Sequence, residues 1–249
     1  MKKTTITIII PVFNVENVVS ETLLSVKNQS VPADEVIIVN DGSTDNSFDK
    51  INNFKNLKGW KILQTENQGL GLTRNFGKSF AKSEYIYFLD SDDIIKDDFI
   101  EKIHKVILKN DKPDMILFSG ETFGDIYKQN KVNLKFSVHG KFYQNDKLIT
   151  KLVKKNETLP QVSRYITKLN LWSKNDLYFP EGIAEDEAVF FPLLSLSENT
   201  IIITDVYYKY RVGRPGSISL KDPDPKHSID YLNRISFFRN CMKKKKKIN

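Results

Sequence analysis

The sequence has a single cysteine, Cys241, among its 249 residues. One cysteine excludes an internal disulfide framework and is typical of a protein from a reducing compartment. No apolar run approaches the roughly 20 residues that a bilayer-spanning helix needs. The first three residues and the apolar stretch after them are too short and wrongly flanked for a signal peptide. We therefore expect a cytoplasmic protein with no integral membrane segment.

The body of the chain also lacks an excess of positive charge. The net charge is +7, from 38 Lys and Arg against 31 Asp and Glu. Nine of the basic and three of the acidic residues lie in residues 221–249, which leaves 29 against 28 for residues 1–220. A general nucleic-acid-binding protein carries basic residues across a folded face, so we expect no nucleic-acid partner. The length suits one large α/β domain or two small ones.

Strand and helix patterns alternate four times over the first 109 residues. The predicted strands are residues 4–13, 36–39, 60–66 and 85–90; the predicted helices are residues 15–29 with Asn14 as N-cap, 47–54, 71–82 and 97–109. This alternation is typical of a parallel sheet flanked by helices. Since such sheets bind ligands beyond the carboxyl ends of their strands, residues 11–14, 40–45 and 90–93 should converge on one crevice.

The second half of the chain has a weaker pattern. Residues 120–143 have the turn residues and alternation of a hairpin or a long loop. Helical spacing predicts helices at residues 146–155, from residue 165 onwards, and at residues 185–196. A strand is predicted at residues 200–204.

An acidic stretch, "DSDD" at residues 90–93, directly follows an apolar strand. Asp90 and Asp92 are two residues apart and can offer oxygens to a hard divalent cation. Mg²⁺ or Mn²⁺ usually takes one or two protein carboxylates together with diphosphate oxygens. An isolated Asp-x-Asp is more often a solvated turn or a helix cap, and the position after an apolar strand strengthens the case for a metal site.

Three further stretches carry candidate ligand-binding or catalytic residues. Asp41, in "VNDGSTDNS", could accept a hydrogen bond from a nucleoside base or ribose, although a turn would use the same residue types. Arg74 lies one turn into a glycine-rich helix start and could pair with phosphate or stack on a base; a plain helix start is an equal alternative. Glu185 and Asp186 lie where the helix dipole favours carboxylates in any protein, but a catalytic base would also be a carboxylate near the metal crevice.

Taken in order, six stretches resemble the inverting glycosyltransferases of family 2, of the type that builds bacterial surface polysaccharides. The matching stretches are "IPVFN" (10–14), "VNDGSTDNS" (39–47), "NQGLGLTRNFG" (67–77), "YFLDSDD" (87–93), "EDEAVFF" (185–191) and "YYKYR" with a later "SIS" (207–219). The resemblance implies a GT-A fold with a single Rossmann-like, mostly parallel sheet flanked by helices. It implies a glycosyltransferase domain at residues 1–220, in which residues 1–120 bind the nucleotide sugar and residues 121–220 bind the acceptor, followed by a C-terminal extension.

The resemblance also implies roles for individual residues. The implied nucleotide-binding residues are Pro11, Val12, Phe13, Glu16, Asp41, Arg74, Asp90 and Ser91. Asp92 is the implied chief metal ligand, with Asp90 on metal or ribose, and the cofactor is Mn²⁺ or Mg²⁺. Asp186 is the implied catalytic base, with Glu185 in reserve. The implied acceptor contacts are Tyr165, Lys168 and Trp172, with core packing as the alternative for the tryptophan.

The implied reaction is a single in-line displacement on a nucleotide diphosphate sugar, most often a UDP-sugar, with a hexosyl or N-acetylhexosaminyl group transferred. The acceptor would be a glycan or lipid-linked saccharide of a capsule, lipopolysaccharide or cell wall. Transfer to a polyprenyl phosphate and nucleotide-sugar binding without turnover are the alternatives. The sequence departs from the family pattern at two places. Asn40 replaces an aspartate that many members have. Some members also supply a late histidine to the metal; His227 is the candidate here, and a solvent-exposed histidine is the alternative.

The basic residues of the tail surround an apolar stripe, at Tyr231, Ile235, Phe238 and Met242, with helical spacing. A basic amphipathic helix over residues 228–247 could lie on an anionic membrane surface. A C-terminal helix packed on the domain is the alternative. A peripheral membrane location would suit a lipid-linked acceptor.

Overall fold

The structure, a computed structural model, describes residues 4–125, 133–143, 145–158, 160–182 and 185–217. In chain order the elements are β1 Ile6–Val12, α1 Val19–Lys27, β2 Glu35–Asp41, α2 Ser47–Asn52, β3 Trp60–Thr65, α3 Leu70–Ser79, β4 Tyr85–Phe88, β5 Ile94–Ile95, α4 Phe99–Lys109, β6 Met115–Gly124, β7 Gly140–Tyr143, α5 Asp146–Lys154, a 3-10 turn Val162–Arg164, β8 Tyr165–Lys168, α6 Leu169–Lys174, α7 Glu185–Leu196 and β9 Asn199–Val212.

Nine strands of the described chain form one sheet, in the order β3-β2-β1-β4-β8-β6-β9-β5, with β7 also paired to β9. Strands β3, β2, β1 and β4 are mutually parallel. Strand β8 is antiparallel to both of its neighbours, and β6 and β9 again run parallel to each other. Six of these strands therefore share one direction, which confirms the predicted α/β class with a mostly parallel sheet flanked by helices.

The sequence of strand β1 explains why helices cover both faces of the sheet. All seven residues of "ITIIIPV" are buried, as in a central strand that is covered on both faces. Ile6, Ile8 and Ile10 pack into a core with the helices of one face, whereas Ile9 belongs to the core on the opposite face. Apolar side chains on both sides of the pleat thus require two layers of helices.

Helix α1 begins later than predicted. It starts at Val19, and Asn14 is not its N-cap. Asn14 instead has a φ of +49° and its side-chain oxygen accepts the Thr44 N–H at 2.8 Å. Asparagine adopts the left-handed conformation more readily than most residues, and here the bond from Thr44 holds it in place. It therefore serves the connection between two loops rather than the helix.

Two strands in the second half also differ from prediction. Tyr165–Lys168 is strand β8 and not the first turn of a helix, because it fills the position between β4 and β6 and satisfies their backbone groups. Strand β9 continues to Val212 instead of ending near residue 204. It remains paired to β6 across two register shifts, at Phe118/Ser119 and at Ser119/Gly120. This extension brings the end of β9 beside the loop after β4.

In the part of the chain that the structure describes, no helix is long and apolar enough to cross a membrane. The predicted amphipathic helix at residues 228–247 and His227 lie outside the described residues. The division into a domain of residues 1–220, its two halves and an extension at 221–249 stays a prediction.

Candidate active site

The loops after β1 and β2 are joined by hydrogen bonds at the carboxyl edge of the sheet. The backbone N–H groups of Asn14 and Val15 donate to the hydroxyls of Ser43 and Ser47, at 3.2 and 2.8 Å. The Glu16 carboxylate accepts two hydrogen bonds from Asn46, at 2.9 and 2.7 Å. Glu16 therefore holds the two loops together in this structure.

Among the residues predicted for the nucleoside pocket, Phe13 has the most accessible side chain. Its exposed fraction is 45%, whereas Pro11 and Val12 are buried in β1. An aromatic ring held in the open at this edge can lie against a flat ligand. The loops around Phe13 are ordered by their mutual hydrogen bonds, so the ring is presented by a fixed backbone.

Asp41 is buried, and its carboxylate serves the loop before α3. One oxygen accepts the Thr65 hydroxyl and the Gln68 N–H, both at 3.0 Å, and the other accepts the Gly69 N–H at 3.1 Å. These bonds fix the start of α3. Of these three bonds Oδ2 of Asp41 accepts one, so the carboxylate keeps acceptor capacity for a nucleoside base.

Arg74 lies at the centre of the site and is only 2% exposed. It donates one bond to Asp90 at 2.6 Å and a second to Glu185, and its guanidinium lies 5.4 Å from the Phe179 ring centre. Burial alone would lower the pKa of this guanidinium, but the carboxylates of Asp90 and Glu185 raise it above its ordinary value. Arg74 therefore connects the loop after β4 to the start of α7. Both of its terminal nitrogens donate to these carboxylates, whereas its buried Nε has no hydrogen-bond partner among the described residues.

Asp92 and Asp93 accept hydrogen bonds from arginines that are distant in sequence. Asp92 accepts a bond from the Nε of Arg214 at 2.8 Å, and its backbone carbonyl accepts one from the Nε of Arg211 at 2.7 Å. Burial raises the pKa of Asp92, and Arg214 opposes that shift. Asp93 is fully buried, accepts bonds from the Arg211 N–H and the Tyr208 hydroxyl, and has a strongly raised pKa because it is desolvated.

Ser91 lies between the two candidate metal ligands and is buried. Its backbone carbonyl accepts the Thr22 hydroxyl of α1 at 2.9 Å. This bond fixes the loop from its other side. Arg211 and Arg214 were not identified from the sequence as site residues, and the only signal was their position in residues 207–219, the matched stretch that begins with "YYKYR".

Asp90 and Asp92 fit a hard divalent cation. Arg74 binds one oxygen of Asp90 and Arg214 binds one oxygen of Asp92, and each carboxylate keeps a second oxygen. Within the described ranges, no group of three or more His, Cys, Asp or Glu side chains is arranged to hold a metal. A cation here would therefore complete its coordination with ligand oxygens, as Mg²⁺ does with substrate phosphates.

Asp186 lies in the first turn of α7 and is partly exposed. It adjoins the ion pairs of Arg74 with Asp90 and Glu185, here called the Arg74 cluster. Burial of its carboxyl group, reinforced by the charge of Glu185 and opposed by Arg74, raises its pKa from 3.8 to about 7. A carboxyl group with a pKa near the working pH can act as a general base. Glu185 is buried and bound to Arg74, so Asp186 is the member of the pair that remains accessible.

Helix α3 holds the segment that leads into α7. Asn75 accepts the Phe179 N–H at 2.9 Å and donates to the Phe179 carbonyl at 2.7 Å. The Lys78 ammonium donates to the Leu177 carbonyl at 2.6 Å, and desolvation lowers its pKa to about 8. Asn75 and Lys78 were missed from the sequence, although Lys78 follows Asn75 by three residues and Arg74 by four, which is the spacing of neighbours on one helix face.

Glycine at position 71 completes this contact. A Cβ there would lie 2.7 Å from the Pro180 carbonyl and 3.0 Å from Cγ of Glu185. Only a residue without a side chain allows so close an approach. The start of α7 is therefore positioned by one continuous face of α3.

The three predicted acceptor residues are not brought together. Trp172 is 1% exposed, packs on Phe88 and donates to the Thr167 hydroxyl at 2.9 Å, as expected for a core residue. Lys168 is paired with Tyr85 at the opposite end of β4 and forms an ion pair with Asp114 at 2.8 Å, away from the crevice.

Tyr165, by contrast, adjoins the Arg74 cluster. Burial raises the pKa of its hydroxyl strongly, and the nearby charge of Asp186 adds to the shift. Its buried hydroxyl oxygen has no hydrogen-bond partner among the described residues.

Comparison with known proteins identifies the family to which this arrangement corresponds. The model of Glycosyl transferase family 2 matches residues 7–179. Glycosyltransferase GlyA of Streptococcus pneumoniae is 31% identical over 231 residues, which are 86% of this chain and 31% of GlyA. Glycosyltransferase GlyG of the same organism is 29% identical over 245 residues, covering 93% of this chain and 78% of GlyG.

A third relative has solved structures. The poly(ribitol-phosphate) beta-N-acetylglucosaminyltransferase TarS of Staphylococcus aureus is 30% identical over 218 residues, which are 84% of this chain and 36% of TarS. The crystal structure of TarS 1–349 in complex with UDP-GlcNAc superposes with a TM-score of 0.79 at 23% identity, over 96% of this chain and 66% of that chain. This likeness shows a common fold. The chain thus spans about a third of the length of GlyA and of TarS.

Proposed function

Because this chain belongs to glycosyl transferase family 2, we propose that it transfers a sugar from a nucleotide diphosphate sugar to a hydroxyl group of a glycan or lipid-linked saccharide. A UDP-sugar donor is supported by the TarS structures, which were solved with UDP and with UDP-GlcNAc. The transferred group in this proposal is a hexosyl or N-acetylhexosaminyl unit. The acceptor class is a bacterial surface polysaccharide, in line with the poly(ribitol-phosphate) named for TarS.

One observation carries the proposal. Arg74 joins Asp90, a candidate ligand for the cation and donor, to the helix turn that presents Asp186 with its pKa of about 7. Donor-binding and proton-accepting groups are thereby held by a single buried cation. Glycosyl transfer to a hydroxyl requires these two functions side by side.

In the proposed reaction Asp186 accepts the proton of the acceptor hydroxyl while that oxygen attacks the anomeric carbon. The bond between the anomeric carbon and the diphosphate oxygen breaks in the same displacement, and the configuration at the carbon inverts. Asp90 and Asp92 would hold Mg²⁺ or Mn²⁺, which supplies stabilisation of the negative charge on the departing diphosphate when it is bound. Phe13 would lie beside the nucleoside.

The alternatives make different demands on Asp186. A polyprenyl phosphate acceptor is already ionised and needs no base. A nucleotide-sugar-binding protein without turnover needs no proton acceptor at all. The raised pKa of Asp186 favours transfer to a hydroxyl over both. A peripheral membrane contact through residues 228–247 remains a prediction that would suit a lipid-linked acceptor.

Calorimetric titration with UDP and with GDP, each with Mn²⁺ and with a chelator, tests the donor site. We expect one nucleotide to bind with metal and to lose binding in Asp92→Ala. Asp98→Ala is the matched control, because Asp98 is an exposed carboxylate whose partner is Lys102. Transfer is then assayed with UDP-sugars and a poly(ribitol-phosphate) or lipid-linked acceptor. Absence of nucleotide binding under every condition would refute the proposed function.

A further inference from the structure

Arg214 donates a hydrogen bond to one carboxylate oxygen of Asp92, the predicted chief metal ligand. Its Nε lies 2.8 Å from Oδ2 of Asp92, and both side chains are 18% exposed. A carboxylate at this depth requires a positive partner. In the described chain Arg214 is the cation that pairs with the Asp92 side chain.

Among the described residues, Arg214 has fewer partners than its neighbour Arg211. Arg211 donates from its backbone to Asp93 and from its side chain to the Asp92 carbonyl and to Glu21, and it lies 4.4 Å from the Phe123 ring centre. For Arg214 the described contacts are the Asp92 carboxylate and a 3.3 Å bond to the carbonyl of Pro215, the residue next in the chain. The Asp92 to Arg214 pair can therefore be exchanged without breaking β9.

A divalent cation at Asp92 would lie close to the guanidinium and be repelled by it. We propose that Arg214 is a resident counter-charge that competes with the divalent cation for Asp92, so that the cation binds tightly only when a nucleotide diphosphate arrives and offers the guanidinium another anionic partner. This inference rests on the proposed function, because it assumes the metal and donor sites. It predicts that cation and nucleotide bind with strong positive coupling, part of which belongs to Arg214.

The test measures Mn²⁺ binding to the protein itself, from the electron paramagnetic resonance signal of free Mn²⁺, first alone and then with saturating UDP. Arg214→Gln and Arg214→Met remove the charge. We expect both to bind Mn²⁺ alone about tenfold more tightly than wild type, which is about 1.4 kcal/mol. The factor by which UDP increases Mn²⁺ affinity should fall by a similar amount, because UDP no longer has a competitor to displace. Arg214→Lys keeps the charge and should stay near wild type.

Lys209→Gln is the matched control. Lys209 lies on β9, five residues before Arg214. Its backbone pairs with Ile94, two residues beyond Asp92, and its ammonium faces Glu121 at 3.9 Å. It should leave Mn²⁺ affinity near the wild-type value. An equal gain in Lys209→Gln would show a general charge effect and overturn the proposal.

Two further outcomes separate this proposal from the proposed function. If UDP and Mn²⁺ bind wild type with dependence on Asp92, but the Arg214 variants bind Mn²⁺ alone no more tightly, the competition is refuted and the donor site stands. If wild type binds neither Mn²⁺ nor UDP, singly or together, both are refuted. A purely structural role for Arg214 would weaken Mn²⁺ binding in the variants and would also refute the competition.

Discussion

Replacing Asp186 by Asn should stabilise the protein above neutral pH while it abolishes most of the activity. Burial and the charge of Glu185 raise the pKa of Asp186 from 3.8 to about 7. The unfolded chain ionises this carboxyl near its ordinary pKa, so between these two values the folded state binds more protons. The free energy of unfolding therefore falls as pH rises through this window. An asparagine side chain does not titrate, so the variant lacks this pH dependence of the unfolding free energy.

The size of the effect follows from the two pKa values. At 1.36 kcal/mol per unit, the full shift corresponds to about 4 kcal/mol, of which about 2.6 kcal/mol falls between about pH 5 and about pH 8. Because Asp186 is partly exposed, solvent screening reduces the expected change to about 2 kcal/mol. The free energy of unfolding of Asp186→Asn, relative to wild type, should therefore increase by this amount from about pH 5 to about pH 8.

Urea unfolding of both proteins at about pH 5 and about pH 8 measures this difference. Asp45→Asn is the control, because hydrogen bonds from Ser47 and the Glu16 backbone outweigh burial and hold the pKa of Asp45 below its ordinary value. The stability that this lowered pKa contributes is fully present above pH 3.8 and is lost only at lower pH. The loss of unfolding free energy in Asp45→Asn should therefore be equal at about pH 5 and about pH 8. An advantage of Asp186→Asn that does not change with pH would refute the argument.

Activity gives an independent check on Asp186. We expect kcat of Asp186→Asn to fall about 10² to 10⁴-fold, the usual contribution of a general base. The wild-type rate should decline as pH falls through about 7, with the protonation of Asp186. Nucleotide binding in the same variant should remain, which separates the loss of a base from the loss of the fold.

Three variants test how α3 supports the site. Arg74→Met should lose about 3–5 kcal/mol of unfolding free energy, because it leaves two carboxylates without their buried cation, and removal of one of those charges should recover part of it. Gly71→Ala should cost about 1–3 kcal/mol by forcing its Cβ against the Pro180 carbonyl, in spite of the better helix propensity of alanine. Asn75→Ala should cost about 2 kcal/mol, since it leaves the Phe179 N–H and C=O without their partner, and it should lower kcat more than nucleotide affinity. Denaturant unfolding with kcat and nucleotide titration checks all three, and an unchanged Arg74→Met stability would contradict the buried bridge.

The sequence by itself determined the class of the fold and the edge of the sheet where the ligand-binding residues gather. Buried strands such as "ITIIIPV" carry apolar residues on both faces, and their alternation with amphipathic helices permits little besides a mostly parallel sheet. Handedness then brings the strand ends at residues 11–14, 40–45 and 90–93 to one edge. These are local patterns, and local patterns can be read without coordinates.

Tertiary structure decided which groups neutralise one another at that edge. Arg74 pairs with Glu185 across 111 residues, and Arg214 pairs with Asp92 across 122 residues. No spacing rule connects such positions, and burial, which sets the pKa of Asp186, is a property of the packed molecule. The strand at Tyr165–Lys168 was missed for the same reason, because a segment of only four residues becomes a strand when two neighbouring strands leave a place for it. The sequence thus determined where the chemistry would be, and long-range packing decided which side chains are free to perform it.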